Sequence, residues 1–583
     1  MRIPRFRHTF LSLLLGFGGF CFAAIASAQG APIAIGKVQG AGERSPLAGR
    51  EVTVGGVVTA AFGSAPGGGW FLQDGGDGDA ATSDALFVAS TQTPTAGERV
   101  RVRGAVLELD AGNGTRTALQ ATVVTPLGKG KVRSVAIAAP PADWERYENM
   151  RVRITVPLTV AGTHRAQKYG ELIANFGERL RTPSDAAAPG DAARALAAEN
   201  ARRTLRLDDG SDVDMPDVNQ PASIWYLPKT GLPRTGGRLS RVEGIVDQRG
   251  DGYRLQLTAK PAFRRASPSA APKVGGDVRI ASFNLENFFN GDGRGGGFPT
   301  PRGARTPAEL QTQLAKLVGT IRALDPDIAA LMEVENDGFG ADSAIATLVD
   351  ALNASGGDWR AIVTDADQGG DQIRVGLIYR ASRVSPVGTA ATLTDDLFGS
   401  RSRPPLAQTF RAGTGKATGP AFTVVANHFK SKGCGNASGA EADQKDGQSC
   451  WNATRTESAR RLDAWLRTDP TRSGSDLAMI VGDLNAYSME NPVQAMIATG
   501  WRDAFAGQRG AAPYSYVYDS QIGRLDHALL SPAMAARLVG AAEWHSNADE
   551  PESHGYQARP GDRAPWRSSD HDPLVVGFRL RRP

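Results

Sequence analysis

The sequence predicts a chain of two unlike halves, all-β barrel modules followed by a layered α/β sandwich. Three observations carry this. A Gly-x-x-Val-x-Val-x-Gly pattern returns through the first half. From Val278 onward, short apolar runs alternate with helical periodicity. The length, 583 residues, exceeds what one core holds at ~100–200 residues per domain.

The chain begins with Arg2, Arg5 and Arg7, an apolar stretch from Phe10 to Ile25, and small residues at Ala26-Ser27-Ala28. This order reads as a secretory signal peptide over residues 1–28, too short in its apolar part to span a bilayer, and sends the mature chain to the periplasm or the medium. No later segment has the length and apolarity of a membrane span. Gly49, Val52, Val54, Gly56 and Val58 share their spacing with Gly97, Val100, Val102, Gly104 and Val106, and again with Gly237, Ser240, Val242, Gly244 and Val246. Alternating Val buries one face of a strand, and a Gly within it marks a bend of the kind small barrels need. Strands are also expected at Trp70–Asp74 and from Met150 to Ile154. Residues 29–135 and 136–262 are therefore read as two β modules. Ala186–Arg206, rich in Ala and Arg, is either a helix or a flexible insertion, and residues 263–276 read as a linker.

Residues 277–583 form the second half. Val278–Phe283 is a strand. Positions 310, 314, 317, 318 and 321 give Pro307–Leu324 helical spacing, with Thr306 and Glu309 as a capping box. Further strands are expected at Asp327–Met332, Val375–Tyr379, Phe422–Ala426, Leu477–Val481, Asp526–Leu530 and Leu574–Phe578, and a helix over Arg455–Arg467. Strands alternating with helices and hairpins suggest layers of both.

Composition sets bounds. Hydrophobic residues make up 41% and charged residues 22%, which excludes a polytopic membrane protein and a wholly disordered chain. The 69 Gly and 35 Pro are not periodic, which excludes collagen. The formal charge is +5, but three of the 66 basic residues lie in the signal segment, leaving 63 against 61 acidic ones. Net charge is thus no argument for a nucleic-acid partner. Without Cys21, two cysteines remain. In an exported protein Cys434 and Cys450 are favoured as a disulfide over free thiols or isolated metal ligands.

Acidic, amide and histidine side chains gather at strand ends. Asn284 and Glu286 follow the first strand, Glu333 the second, and His428 a third. Asp483 and Asn485 follow a fourth; Asp526 opens a fifth; Asp570 and His571 precede the last. The carboxylates and the two Asn are hard oxygen donors suited to Mg²⁺, Mn²⁺ or Ca²⁺ and not to zinc. Two His beside such an ion can move protons or stabilise phosphate charge. Arg403, Lys430 and Lys432 would neutralise phosphate.

The blocks Ser282-Phe283-Asn284-Leu285-Glu286, Leu331-Met332-Glu333-Val334, Asn427-His428, Gly482-Asp483-Leu484-Asn485, Arg524-Leu525-Asp526-His527 and Ser569-Asp570-His571-Asp572-Pro573 occur in order across about 300 residues. Here the sequence resembles the endonuclease/exonuclease/phosphatase superfamily, with the four-layered α/β sandwich of the deoxyribonuclease I-like fold. The repeated Gly/Val pattern, with Phe71-Leu72-Gln73-Asp74, resembles the OB-fold modules that precede some secreted bacterial nucleases. Met332 departs from the family, where Gln often precedes the metal-binding Glu.

The resemblance implies roles. Glu333 is the main metal ligand, with Asn284, Glu286 and Asp570 completing or supporting the shell. Asp483 activates water or protonates the leaving oxygen, and Asn485 holds the scissile phosphate. His571, oriented by Asp526, and His428 face the phosphate. Arg403 falls where related nucleases carry a DNA-contacting Arg. The implied function is a secreted Mg²⁺-dependent endonuclease acting mainly on DNA, with RNA as an alternative substrate and Mn²⁺ or Ca²⁺ as alternative ions. A phospholipid or sugar-phosphate phosphodiesterase and an inactive nucleic-acid- or matrix-binding protein are the alternatives.

Overall fold

The computed structural model describes residues 31–62, 68–211, 224–250, 252–354, 356–413, 418–507 and 512–580. The segment read as an export signal, with Cys21, lies outside them. Among the described residues no helix is long and apolar enough to cross a membrane.

Strands β1 (Glu51–Ala60), β2 (Gly69–Gln73), β3 (Ala85–Ala89), β4 (Glu98–Asp110) and β5 (Thr115–Lys129) close a barrel in the order β1-β2-β3-β5-β4. The alternation read from the sequence sets its lining. Val100, Val102 and Val106 are fully buried, with Val54, Trp70 and Leu72 around them.

The next nine strands are β6 (Val135–Ile137), β7 (Arg151–Ile154), β8 (Leu158–Gly162), β9 (Leu172–Phe176), β10 (Thr204–Asp208), β11 (Arg238–Ser240), β12 (Val242–Arg249), β13 (Gly252–Leu257) and β14 (Ala262–Arg264). They form one sheet, β14-β11-β8-β9-β10-β13-β12-β7-β6. Because β7 and β8 are successive pieces of chain, one bonded to β12 and the other to β9, the run β7/β8, β9, β10, β13, β12 repeats the order of the first barrel. Its parallel pair, β10–β13, repeats β3–β5. The repeated glycines explain themselves here. A Cβ on Gly104 would overlap the Gln120 carbonyl of the neighbouring strand, and one on Gly244 the Gln256 carbonyl. The Ala/Arg-rich stretch between β9 and β10 is a helix, Asp191–Arg203.

The second half holds two six-stranded sheets. One joins β15 (Val278–Phe288), β16 (Ile328–Glu335), β17 (Trp359–Ala361), β18 (Ile373–Arg380) and, from the C-terminus, β27 (Leu538–Glu543) and β28 (Leu574–Phe578), in the order β17-β18-β16-β15-β28-β27. The other joins β19 (Val384–Thr392), β20 (Leu406–Ala412), β21 (Ala421–His428), β22 (Ala478–Asp483), β23 (Arg502–Asp503) and β26 (Asp526–Leu530), in the order β19-β20-β21-β22-β26-β23. Between them in sequence lies a hairpin, β24 (Tyr516–Tyr518) and β25 (Gln521–Gly523).

Three apolar seams make four layers. Helices Pro307–Leu324 and Ala344–Asn353 cover the first sheet through Leu314, Leu317, Ile321 and Leu348. Met332, Leu377, Phe410, Phe422, Val424, Met479 and Val576 fill the space between sheets. Helices Asn452–Leu466 and Asn491–Ala498 cover the second sheet through Leu462, Val493 and Met496. At about 1.5–3 kcal/mol per fully buried large apolar side chain, the central seam is the main support of the fold.

The helix cap differs in one contact from its sequence reading. Thr306 Oγ1 accepts from Glu309 N at 3.2 Å, but the Glu309 carboxylate reaches back to Arg305 N, at 2.7 Å, instead of to Thr306 N. The cysteines are joined, Cys434 to Cys450. The stretch read as a linker carries no regular structure from 265 to 277 yet is packed: Trp544 Nε1 donates to Ser269 O at 2.8 Å.

The second β module is fastened to the sandwich. Arg179 and Arg234 both pair with Asp549, at 2.5 and 3.1 Å, and Arg234 also with Glu550 at 2.7 Å. Tyr514 donates to Asp549 and stacks on His545, which bonds Asp572 beside His571.

Candidate active site

Each sheet has one central parallel pair, β15–β16 in the first and β21–β22 in the second, and the candidate residues sit at the C-terminal ends of these pairs. Strands β26 and β28 run antiparallel to them, so Asp526 at the start of one and Asp570-His571 before the other arrive at the same edge. Register makes the meeting specific. His428 is the partner of Asp483 across β21–β22, and Asp483 the partner of Asp526 across β22–β26. Gly482 lets this happen, because a Cβ there would overlap the Asn427 carbonyl next to His428.

The first sheet achieves its share through irregularity. Pairing of β15 with β16 shifts register between Asn284 and Phe288, and pairing of β16 with β18 shifts between Leu331 and Val334. Such bulges re-aim side chains. Glu286, Asn287 and Glu333 have φ of 54°, 56° and 62°, and Asn485 has 47°. Left-handed backbone at non-glycine residues costs of order 1–3 kcal/mol each and gathers at functional sites.

At the centre, Asn284 Nδ2 donates to Glu333 Oε1 at 3.2 Å and to Asp483 Oδ2 at 3.3 Å, tying the two sheets together. Its Oδ1 accepts from Glu286 N, so Asn284 supports the carboxylates and does not itself turn an oxygen toward them. Glu333 Oε2 accepts from Asn287 N at 2.9 Å. Burial, with Asp570 beside both, raises the Glu333 carboxyl and pushes Glu286 up to about 8 against the pull of Arg567.

On the other side, Asp526 Oδ2 lies 2.7 Å from His571 Nδ1. Burial works against the imidazolium, but Asp526 and Asp570 hold it well above the ordinary histidine range. His428 goes the opposite way: burial, then Arg403 and His571, drive it well below. Its Nε2 stands 3.5 Å from Asp483 Oδ2 and 4.0 Å from Glu333 Oε1. Burial pushes Asp483 up to about 7, while its Oδ1 accepts from Asn485 N at 2.7 Å. Asn485 Nδ2 is held between the Phe429 carbonyl and Asp483.

These groups line one cavity of about 830 Å³, which takes in Glu333, His428, Asp483, Asn485, Asp570 and His571. Glu286 opens instead onto an adjoining cavity of about 610 Å³, and Asp570 borders both. Arg403 lines the larger cavity, bonded to Asp371 at 3.0 Å and to the Phe429 carbonyl. Lys430 lies over the Trp451 ring. Lys432 departs from its expected role as a phosphate contact. Its ammonium is ion-paired with Glu490 at 2.6 Å and also bonds Gln448 O, so its charge is spent inside the protein. Residues not singled out by sequence also line the cavity: Arg302, Asn287, Tyr487, Tyr516 and Tyr518. Arg302 sits in a Gly-rich loop and the tyrosines in a short hairpin and a turn. A basic side chain or Tyr in such a setting carries no positional signal.

Among the described residues, no three His, Cys, Asp or Glu side chains are already drawn into a metal-holding group. The donor chemistry nevertheless fits a hard divalent cation. Burial, and then the charge of Asp570, raises the Glu286 and Glu333 carboxyls, a conflict that a cation relieves. Glu286, Glu333 and Asp570 would hold it.

The four-layered sandwich thus gathers acids, amides and paired histidines at one edge of both sheets, groups suited to phosphate-ester chemistry. Residues 281–571 match the Endonuclease/Exonuclease/phosphatase family, and through this half the chain belongs to that family, whose members hydrolyse phosphodiester or phosphate-ester bonds. Among solved structures, an endonuclease/exonuclease/phosphatase family protein from Bacteroides thetaiotaomicron is similar at 18% identity and a TM-score of 0.34, over 51% of this chain and 96% of that one. The human nocturnin catalytic domain with bound sulfate is similar at 16% and 0.32, over 52% and 93%. A mannosyl-6-phosphatase from Bacteroides thetaiotaomicron is similar at 18% and 0.34, over 52% and 99%. No curated protein matches the chain.

Proposed function

We propose that the protein is a secreted, metal-dependent nuclease that hydrolyses phosphodiester bonds of extracellular DNA, endonucleolytically, with Mg²⁺, Mn²⁺ or Ca²⁺ at Glu286, Glu333 and Asp570. The observation that carries this is the joining of Arg302, Arg403 and Lys430 to Asp483 and His571 in one cavity, with Asp526 behind His571. Three cations beside an acid–base pair suit an anionic diester. The export reading rests on residues 1–28, and both β modules are read as OB-like.

A bound divalent ion supplies Lewis-acid stabilisation of negative charge on the phosphoryl group. The chain's own groups do the rest. Asp483, near neutrality in its proton affinity, accepts a proton from the attacking water. His571, kept cationic by Asp526, donates a hydrogen bond to a phosphoryl oxygen. His428 stays neutral and orients Asp483. Asn485, fixed by Phe429 and Asp483, aligns the phosphate.

Incubating the full-length protein with supercoiled plasmid and each cation, or chelator, tests the reading. Metal-dependent conversion to nicked and linear forms is expected. Plasmid left intact with every cation, alongside turnover of a sugar phosphate or phospholipid, would overturn it.

A further inference from the structure

The second β module reaches into the catalytic cleft. Ile522 N donates to Leu180 O and Ile522 O accepts from Thr182 N, at 2.9 and 2.8 Å, a parallel β-bridge of Arg181 with the hairpin strand β25. Ser184 and Asp185 then bond Glu490 and Ser488, and Gly190 N donates to Asp446 O. Asn200, from the helix Asp191–Arg203, donates to Gln521 at 2.7 Å. Through these contacts Thr182, Pro183 and Ala197 line the same cavity as Glu333, Asp483 and His571.

The cavity has two chemically distinct groups. Arg302 and Arg403 are gathered on Asp371, with Lys430 nearby in the loop after His428. Tyr516 lies against His571, at 4.6 Å between rings, and Tyr487 packs where Gly523 leaves room. Tyr518 stands at the hairpin tip with 65% of its surface exposed. The tip itself is fixed. Asp519 and Ser520 make a tight left-handed turn, and buried Ser520 packs on Gly162 of the module.

We propose that the module and the hairpin close the cleft into a channel for one unpaired polynucleotide strand, with the Tyr518 ring as a base-stacking platform. This rests on the reading of the protein as a nuclease. Cations for the backbone beside aromatic faces are what a single strand needs, whereas a duplex keeps its base faces stacked inside. Thr182, Pro183 and Ala197 of the module form part of the cleft wall.

The test compares full-length protein on an unstructured end-labelled oligonucleotide and on the same strand annealed to its complement. A preference of at least about tenfold for the single strand is expected. Tyr518→Ala is expected to raise KM for the single strand about tenfold, in line with the 1–3 kcal/mol of a base–aromatic stack, while Tyr518→Trp restores it. Ala197→Trp is expected to lower kcat/KM on the strand. Equal cleavage of both forms, or a Tyr518→Ala enzyme with wild-type KM, overturns the channel and leaves the nuclease reading standing. Cleavage of neither form overturns both.

Discussion

The Asp526 carboxylate, 2.7 Å from His571 Nδ1, lies directly across the strand pair from Asp483, whose carboxylate is 3.9 Å from the other nitrogen of the same ring. One imidazole is therefore gripped by a carboxylate on each side, and its charge is a property of the pair. Asp526→Asn removes the nearer charge and lets the His571 pKa fall. Turnover is expected to drop by ~10²–10⁴, with the alkaline limb of the pH–rate profile moving to lower pH. An unshifted limb in that variant would show that His571 takes its charge from elsewhere.

Glu286 sets stability against function. Folding raises its carboxyl from 4.5 to about 8, so the folded chain prefers it protonated. Its contribution to stability is then complete below about 4.5 and lost as pH rises through about 8. In chelator above that pH, Glu286→Gln should melt higher, by about 2–4 °C for each kcal/mol recovered. The same variant should lose metal-dependent turnover. Thermal melts of both proteins with and without Mg²⁺ check this, and a lower melting temperature for the variant in chelator would count against it.

Arg302 is more exposed than Arg403 and carries no fold contact beyond Asp371 among the ion pairs described. Arg302→Ala should raise KM for polynucleotide about fivefold with kcat little changed, the signature of a lost phosphate contact worth ~1 kcal/mol. Steady-state kinetics at low and high salt should show the difference shrinking with salt.

The disulfide ties Cys434 to Cys450, and the loop between them carries Gly447 and Ser449 to the cleft. Cys434→Ser should cost about 2–4 kcal/mol in the chain-entropy account. Denaturant melts with and without reductant measure it. Reductant should move the wild type and not the variant.

Much of the site was legible before the structure because its residues follow or precede apolar strands whose ends the sequence marks. Asp526–Leu530 and Leu574–Phe578 are strands with the expected bounds, and Pro307–Leu324 is the expected helix. What escaped depends on contacts distant in sequence. Lys432 looks like a phosphate ligand until Glu490, 58 residues on, takes its charge. Asn284, read as completing or supporting the metal shell, is held by Glu333 and Asp483, 49 and 199 residues on. Strand β19 is diluted by Ser, Pro, Gly and Thr and β20 by Gln, Thr and Arg; pairing of β20 with β21, and of β19 with β20, fixes them.

The stretch from Arg265 to Asp277 has another consequence. It is the sole covalent path between the β modules and the sandwich, with Arg265 and Lys273 exposed on it. Yet the two parts also hold each other through buried arginine–carboxylate pairs and a β-bridge between Arg181 and Ile522. A trypsin-like protease could sever that path without parting the halves. The nicked molecule would migrate as two fragments under denaturing conditions and as one particle in native buffer, still carrying the wall of its own cleft.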